Sequence, residues 1–455
     1  MLKQSIFREY DIRGIAEEEL LDPDVETLGR ALATYLMRHS GRTISLGCDC
    51  RLSGSRLRDA LLKGLLAAGA RVLDIGTVPT PVLYYSAVHF KTDGAIMITG
   101  SHNPPEYNGI KTVCGTGTLY GQAIQDVYKL ITAGDFELGE GSVEKIDAVT
   151  PYVDEVAAQF QFDRKVKVVV DAGNGTAGPV VTRVFEKLNV KATELFFEMD
   201  GHFPHHHPDP TVLANLRDLQ QSVRKHGAEL GIAFDGDADR IGVVDEHGDV
   251  IYGDMLLLIF GREILSRKPR STFIGEVKCS QIMYDKLKEL GGNPIMFKTG
   301  HSLIKAKMKE EHAEVAGEMS GHMFFADRYY GYDDAIYSAC RLLEIVAKSG
   351  KPLSSQLEGI PKLVSTPELR VDCPDDLKFQ LISKVAEIIR RHHEVVDIDG
   401  VRVPFPRGWG LVRASNTQPV LVMRFEAESE ELLANYQGEI ENAVAEAKNK
   451  LGVPA

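Results

Sequence analysis

Three stretches of the chain repeat one arrangement of hydrophobic and polar positions. A short, β-branched apolar run is followed by a polar turn and then by apolar residues at helical spacing. The pattern occurs at 44–69, at 166–188 and at 271–292. Continuous apolar runs of this kind predict buried strands, and the following segments predict helices packed on them. The units recur about 105 to 120 residues apart, which predicts three related α/β domains in tandem. The last part of the chain breaks the pattern. It predicts a helix over 376–393, strands over 409–428 and a final helix over 429–451, a smaller α+β domain. Polar stretches between the units place the domains at 1–148, 149–250, 251–363 and 364–455.

Length agrees with this division, since 455 residues suggest three or four domains. The formal charge of −13 argues against a nucleic-acid partner, which favours a basic excess. No apolar run approaches the length of a membrane span, and the N-terminus lacks a signal-peptide core. The six scattered cysteines include no CxxC pair and read as reduced thiols, as expected in the cytoplasm.

Four loops concentrate chemistry. In 98–111, an apolar strand delivers the chain into Thr99, Gly100, Ser101, His102 and Asn103, and two prolines then stiffen the turn. A serine on a rigid turn suits nucleophilic catalysis, and Lys111 follows to neutralise phosphate charge; an ordinary Ser/Gly/Pro turn is the plainer reading. In 235–240, Asp235, Asp237 and Asp239 alternate and can converge on a hard cation, Mg²⁺ or Ca²⁺. An EF-hand is disfavoured because Arg240 stands where the loop needs glycine, and because the flanks read as strands. In 317–325, Glu318 and Ser320 project the same way and can grip sugar hydroxyls, if they are more than a turn. In 412–427, Arg413, Ser415, Asn416 and Thr417 offer a guanidinium, hydroxyls and an amide to a phosphate. The histidines at 205–207 read as a stiff loop in preference to a zinc site. The glycine-rich run at 171–178 has the look of a phosphate loop but matches no nucleotide-binding motif.

Taken in order, the segments at 7–14, 99–111, 235–240, 317–322 and 413–419 resemble the α-D-phosphohexomutase superfamily, nearest to bacterial phosphomannomutase and phosphoglucomutase. The resemblance covers the whole chain; one departure is the run at 211–216. It implies an α/β fold of four domains around a central cleft, three with mixed sheets and one smaller α+β domain. It implies a phosphoserine at Ser101 that holds Mg²⁺ with Asp235, Asp237 and Asp239. Arg13, Lys111, Arg240 and His301 would line the reacting centre with Tyr10 and Lys278. Glu318, Ser320 and His322 would face the sugar, and residues 413–417 the unreacting phosphate. The implied activity interconverts hexose 6-phosphate and hexose 1-phosphate through a 1,6-bisphosphate, which also serves as activator. The substrate would be a phosphosugar, on a monomer or dimer, with the C-terminal domain as lid and His301 or Lys111 as base. A phosphoglucosamine mutase and a metal-dependent sugar phosphatase are the alternatives.

Overall fold

Strand-forming runs assemble into four sheets, of seven, five, four and five strands in chain order, among the described residues. The computed structural model describes residues 2–162, 164–416 and 418–452. The first three sheets share a core motif. A central strand, Thr43–Cys48, Val168–Asp171 or Thr272–Glu276, has parallel neighbours on both sides. One of those neighbours then turns back into an antiparallel strand. The pairs that do so are Gly94–Ile98 with Tyr107–Cys114, Leu230–Phe234 with Ile241–Asp245, and Val315–Gly317 with Met323–Phe325. The loops at these turns, 99–106, 235–240 and 318–322, are topological equivalents. They carry three of the four motifs singled out above.

Each central strand runs into a helix, Gly54–Ala67, Ala177–Lys187 or Gln281–Glu289, as the repeated pattern predicts. The second sheet extends to the short strand Val250–Ile251, so the expected boundary between 250 and 251 falls inside it.

The fourth sheet is antiparallel throughout. Its strands include Val401–Phe405, Gly408–Ala414 and Val420–Ala427, with Val364–Ser365 and Leu369–Asp372 both paired to the last of these. The helices Lys378–Ile389 and Glu430–Leu451 pack with it. The second starts where Ser429 accepts a hydrogen bond from the Leu432 N–H, an N-cap. The first stops at Ile389, short of the expected 393, where the Arg391 and His392 N–H groups tighten to i→i−3 bonds on Ile388 and Ile389.

One apolar cluster runs from Val82 and Tyr85 through Tyr152 and Val181 to Phe260 and Tyr337, welding the first three units together. The fourth unit keeps its own core, with Leu381, Val401, Phe425 and Ile440 fully or nearly fully buried. Its junction with the third unit combines an apolar patch, Val277 against Trp409 and Leu411, with polar contacts. Arg402 donates to the Val277 and Cys279 carbonyls, and Arg424 to that of Lys278. Glu426 accepts from Ser280 Oγ at 2.6 Å and Trp409 Nε1 at 2.7 Å. The separate core of the fourth unit marks it as a unit of its own. No helix among the described residues is long and apolar enough to cross a membrane.

Candidate active site

Ser101 sits in a left-handed conformation, φ 49°, unusual for a residue with a side chain. A buried scaffold holds it there. The Ser101 N–H donates to Thr99 Oγ1 at 2.8 Å, and the Gly100 N–H to Asp49 Oδ2 at 3.1 Å. Arg51 donates to the carbonyls of Ser101 and Tyr107, each at 2.9 Å, and to those of Asn103 and Pro104. Its guanidinium is 0% exposed and faces Asp49 at 3.3 Å. The sequence reading passed over Arg51 and Asp49. The signal was positional: they follow the first central strand as Lys278 follows the third.

The Ser101 hydroxyl donates to Asp235 Oδ2 at 2.8 Å and lies 3.1 Å from His102 Nδ1. Gly236 permits this approach, since a Cβ there would lie 2.6 Å from the Ser101 carbonyl oxygen. Asp235 Oδ1 in turn accepts from the Asp239 and Arg240 N–H groups, both at 3.1 Å, which curls the acidic loop on itself. Lys111 crosses from the neighbouring strand to Asp237 Oδ2 at 2.8 Å and Asp239 Oδ2 at 2.5 Å. Thr80 Oγ1 donates to Asp237 Oδ2 at 2.6 Å.

All three aspartates are 0% exposed. Burial pushes the Asp235 carboxyl well above the usual range, and Asp237 and Asp239 add to the effect. For Asp237 burial acts in the same direction, but Lys111 and Thr80 outweigh it and hold the group below that range. Burial would lower Lys111, yet the two carboxylates more than compensate and raise it. Three carboxylates at Lys111 and Arg240 leave negative charge that a divalent cation would offset. One oxygen of each aspartate lies within 4.8 Å of the others, and Asp237 Oδ1 and Asp239 Oδ1 have no hydrogen-bond partner among the described residues. An all-oxygen donor set suits a hard cation. These residues therefore fit a metal of that class.

The loop 318–322 closes on the acidic loop. The Ile241 N–H donates to the Gly321 carbonyl at 3.0 Å, a contact only glycine allows, since its φ is 93° and a Cβ would lie 2.3 Å from Ile241 O. Arg240 Nε donates to His322 Nε2 at 3.0 Å. Glu318 accepts from the Gly300 N–H at 2.6 Å, which draws the start of the helix His301–Glu311 to the site, and Ser320 Oγ lies 3.4 Å from Glu318. His301 is buried; burial and then Lys305 hold its pKa well below the usual imidazole value. Glu276, missed in the sequence, supports three loops at once. It accepts from the Lys278 N–H, Thr299 Oγ1 and the Met319 N–H at 2.7, 2.9 and 3.2 Å.

A second cluster joins the first, third and fourth units. Tyr10 OH donates to the Thr299 carbonyl at 2.7 Å and accepts from Asn416 Nδ2 at 2.5 Å. Arg413 pairs with Asp399 at 3.0 Å, and Asp399 also accepts from the Thr299 N–H. The Gln418 N–H donates to Ser415 Oγ at 3.2 Å. Lys278 pairs with Glu368 at 3.2 Å. Arg13 donates to Asn103 Oδ1 at 2.6 Å and to Asp11. Thr417 lies outside the described residues. The glycine-rich run at 171–178 is filled by protein, because a Cβ on Gly175 would lie 2.7 Å from the Gly236 carbonyl oxygen. It buttresses the acidic loop. Of the histidine run, His206 faces Asp171 at 3.0 Å and His207 Nε2 meets the His102 carbonyl.

Comparison with known proteins bears on the same four units. Family models described as phosphoglucomutase/phosphomannomutase match throughout. The alpha/beta/alpha domains I, II and III match residues 4–138, 150–248 and 252–364, and the C-terminal domain matches 368–443. A phosphomannomutase/phosphoglucomutase of Pseudomonas aeruginosa is 43% identical, over 100% of this chain and 98% of its own. A phosphoglucomutase of Neisseria gonorrhoeae is also 43% identical, over 96% of each chain. A solved phosphoglucomutase/phosphomannomutase family protein from Burkholderia thailandensis superposes with a TM-score of 0.92 at 45% identity, covering 98% of both chains.

Proposed function

This chain belongs to the phosphoglucomutase/phosphomannomutase family, and on that premise we propose that it interconverts hexose 6-phosphate and hexose 1-phosphate through a phosphoserine at Ser101. The observation that carries the reading is the placement of the Ser101 hydroxyl, 2.8 Å from Asp235 in a loop whose three carboxylates are balanced only in part by Lys111. Asp235, Asp237, Asp239 and an oxygen at Ser101 would hold Mg²⁺. When bound, it supplies charge stabilisation to the transferring phosphoryl oxygens.

The protein's own groups do the rest. The phosphoryl group leaves Ser101 Oγ: that P–O bond breaks as one forms to the free hydroxyl of the hexose phosphate. The hydroxyl proton goes to a base. His301 and Lys111 are the candidates: the two carboxylates that hold Lys111 charged favour His301, and burial in turn lowers the basicity of His301. The resulting 1,6-bisphosphate turns end over end. Its other phosphoryl group then returns to Ser101 Oγ, and the proton returns to the sugar oxygen. Arg13 and Arg240 offset charge on the group in transit. Arg413, Ser415, Asn416 and Thr417 hold the distal phosphate in either orientation, with Tyr10 and Lys278 beside them.

Glu318 and Ser320 grip O3 and O4 and leave O2 unread, so mannose and glucose phosphates both serve, with hexose 1,6-bisphosphate as activator. The fourth unit, 364–455, acts as the lid over the units 1–148, 149–250 and 251–363, and the enzyme works in the cytoplasm. The test is turnover of mannose 1-phosphate and glucose 1-phosphate with Mg²⁺ and a trace of bisphosphate. Comparable kcat/KM on both sugars, and its loss on both in Glu318→Gln, is expected. Release of free phosphate in place of isomerisation would overturn the reading.

A further inference from the structure

A lysine opens the helix Lys378–Ile389, a poor place for one. The start of a helix carries partial positive charge and repels a cation, and lysine is seldom buried without a partner. Lys378 is nevertheless only 4% exposed. Its Nζ donates to Asp375 Oδ1 at 2.7 Å and to the Gln418 carbonyl at 3.2 Å. The first partner offsets the charge. The second stands directly after the run 413–417, to which the mechanism gives the distal phosphate.

Gln418 is gripped at three groups. Its N–H donates to Ser415 Oγ at 3.2 Å, and its side-chain oxygen accepts from Arg370 Nη1 at 3.0 Å. Its carbonyl accepts from Lys378 and also from the Val420 N–H, at 2.9 Å. The Ser415 N–H in turn donates to the Val420 carbonyl at 3.0 Å. Arg370 is mostly exposed, so of the two cations on Gln418 only Lys378 is fixed by burial.

The same support reaches the first unit. Asp375 Oδ2 accepts from Arg8 Nη1 at 3.3 Å, and Tyr10, two residues on, pairs with Asn416. Magnitudes separate these contacts. An exposed ion pair such as Arg8–Asp375 shifts an equilibrium by at most about fivefold, whereas a hydrogen bond from a charged group contributes roughly tenfold or more.

We propose that Lys378 is a positioning residue for the phosphate-facing run 413–418, with Asp375 holding it in place and Arg8 adding a smaller contribution from the first unit. The inference rests on the mutase reading for its kinetic consequence, but not for its structural one.

The test compares the full-length wild type with Lys378→Met and Lys378→Gln. Methionine keeps the length and removes the donor; glutamine keeps a donor without the charge. Hydrogen exchange reads the run with no substrate present. At the amides of Ser415 and Gln418 it should quicken at least about tenfold in Lys378→Met, while amides of the strand Val401–Phe405 keep their protection. Transfer from phosphorylated Ser101 to glucose 1-phosphate and to glucose reads the function, because only the first acceptor carries a distal phosphate. The ratio of the two kcat/KM values should fall at least about tenfold in Lys378→Met, with the loss in KM for glucose 1-phosphate, and Lys378→Gln should recover part of it. A general loss of folded enzyme lowers both acceptors and leaves the ratio as it was. A folded Lys378→Met protein with unchanged exchange or an unchanged ratio overturns the proposal. If that variant does not fold, Asp375→Asn takes its place, since this side chain is 51% exposed. The ratio should then fall about two- to fivefold, and an unchanged ratio overturns the proposal as well. If the wild type transfers to neither acceptor, the mutase reading fails, while exchange at Ser415 and Gln418 still decides whether Lys378 holds the run.

Discussion

Replacing Arg51 by Met should release the Ser101 loop without touching a reacting atom. The guanidinium is fully buried, faces Asp49 at 3.3 Å and donates to four loop carbonyls. Methionine fills part of the volume and supplies no donor. Removing one member of a buried ion pair costs about 3–5 kcal/mol, because the partner is left charged and unpaired. Each orphaned carbonyl adds up to about 1–3 kcal/mol where water cannot reach it. Asn103, Pro104 and Tyr107 are at least partly exposed, so most of the carbonyls can recruit water, and about 4 kcal/mol is the working figure. Referred to local opening, that is on the order of 10³-fold in the population of the open loop. Hydrogen exchange reads it directly at the amides of Gly100, Ser101, Asn103 and Tyr107, whose partners lie inside the loop or on Asp49. Protection there should collapse while amides of the strand Leu230–Phe234 keep theirs. Phosphorylation of Ser101 by hexose 1,6-bisphosphate should fall with it, and Arg51→Lys, which keeps charge but not the fork, should recover only part. A folded Arg51→Met protein whose loop protection changes less than tenfold would refute the reasoning.

Other expectations follow from the same geometry. Lys111→Met leaves three buried carboxylates uncompensated, so its melting temperature should fall well below wild type in EDTA and recover most of the loss with added Mg²⁺; equal melting temperatures in EDTA would contradict the charge argument. Lys278 holds the Glu368 carboxyl down to about 2 from its ordinary 4.5. A depressed carboxyl gives stability that is full above pH 4.5 and is lost as pH falls toward about 2. That pair joins the third and fourth units, so the junction should loosen in acid. The sole tryptophan, Trp409, is packed there with Arg402 3.8 Å over its ring, and its fluorescence should report the loosening. In Glu368→Gln the acid transition should shrink, and a transition unchanged in that variant would count against the assignment. Gly321→Ala should cut activity on every sugar by at least about tenfold, since its Cβ must displace the Ile241 carbonyl; near-normal kcat would show that the two loops need not touch.

The strands and helices were legible because burial writes a pattern into sequence. Continuous apolar runs such as 230–234 and 94–98 lie inside sheets, and the turns after them interrupt the pattern with polar residues. Ser101 and the three aspartates stood out because their loops combine residue types that ordinary turns seldom need together. Arg51 and Glu276 did not stand out. Arg51 acts on carbonyls 50 to 56 residues away and Glu276 on groups up to 43 residues away, and a lone charged residue gives no hint of such partners. The equivalence of the loops 99–106, 235–240 and 318–322 was equally hidden. It resides in strand order, which three unrelated loop sequences do not reveal. The length of the helix Lys378–Ile389 was overestimated because the basic run after it continues helical spacing, while its backbone tightens into a turn at Arg391 and His392.

The central claim is that the Ser101 oxygen carries the phosphoryl group to and from the sugar. Peptide mass spectrometry after incubation with glucose 1,6-bisphosphate tests it most directly. The peptide containing Ser101 should gain the mass of one phosphoryl group, lose it on a chase with excess glucose 6-phosphate, and gain nothing in Ser101→Ala, which should also be inactive. A phosphoryl group found on any other residue, or full turnover by Ser101→Ala, would contradict the account.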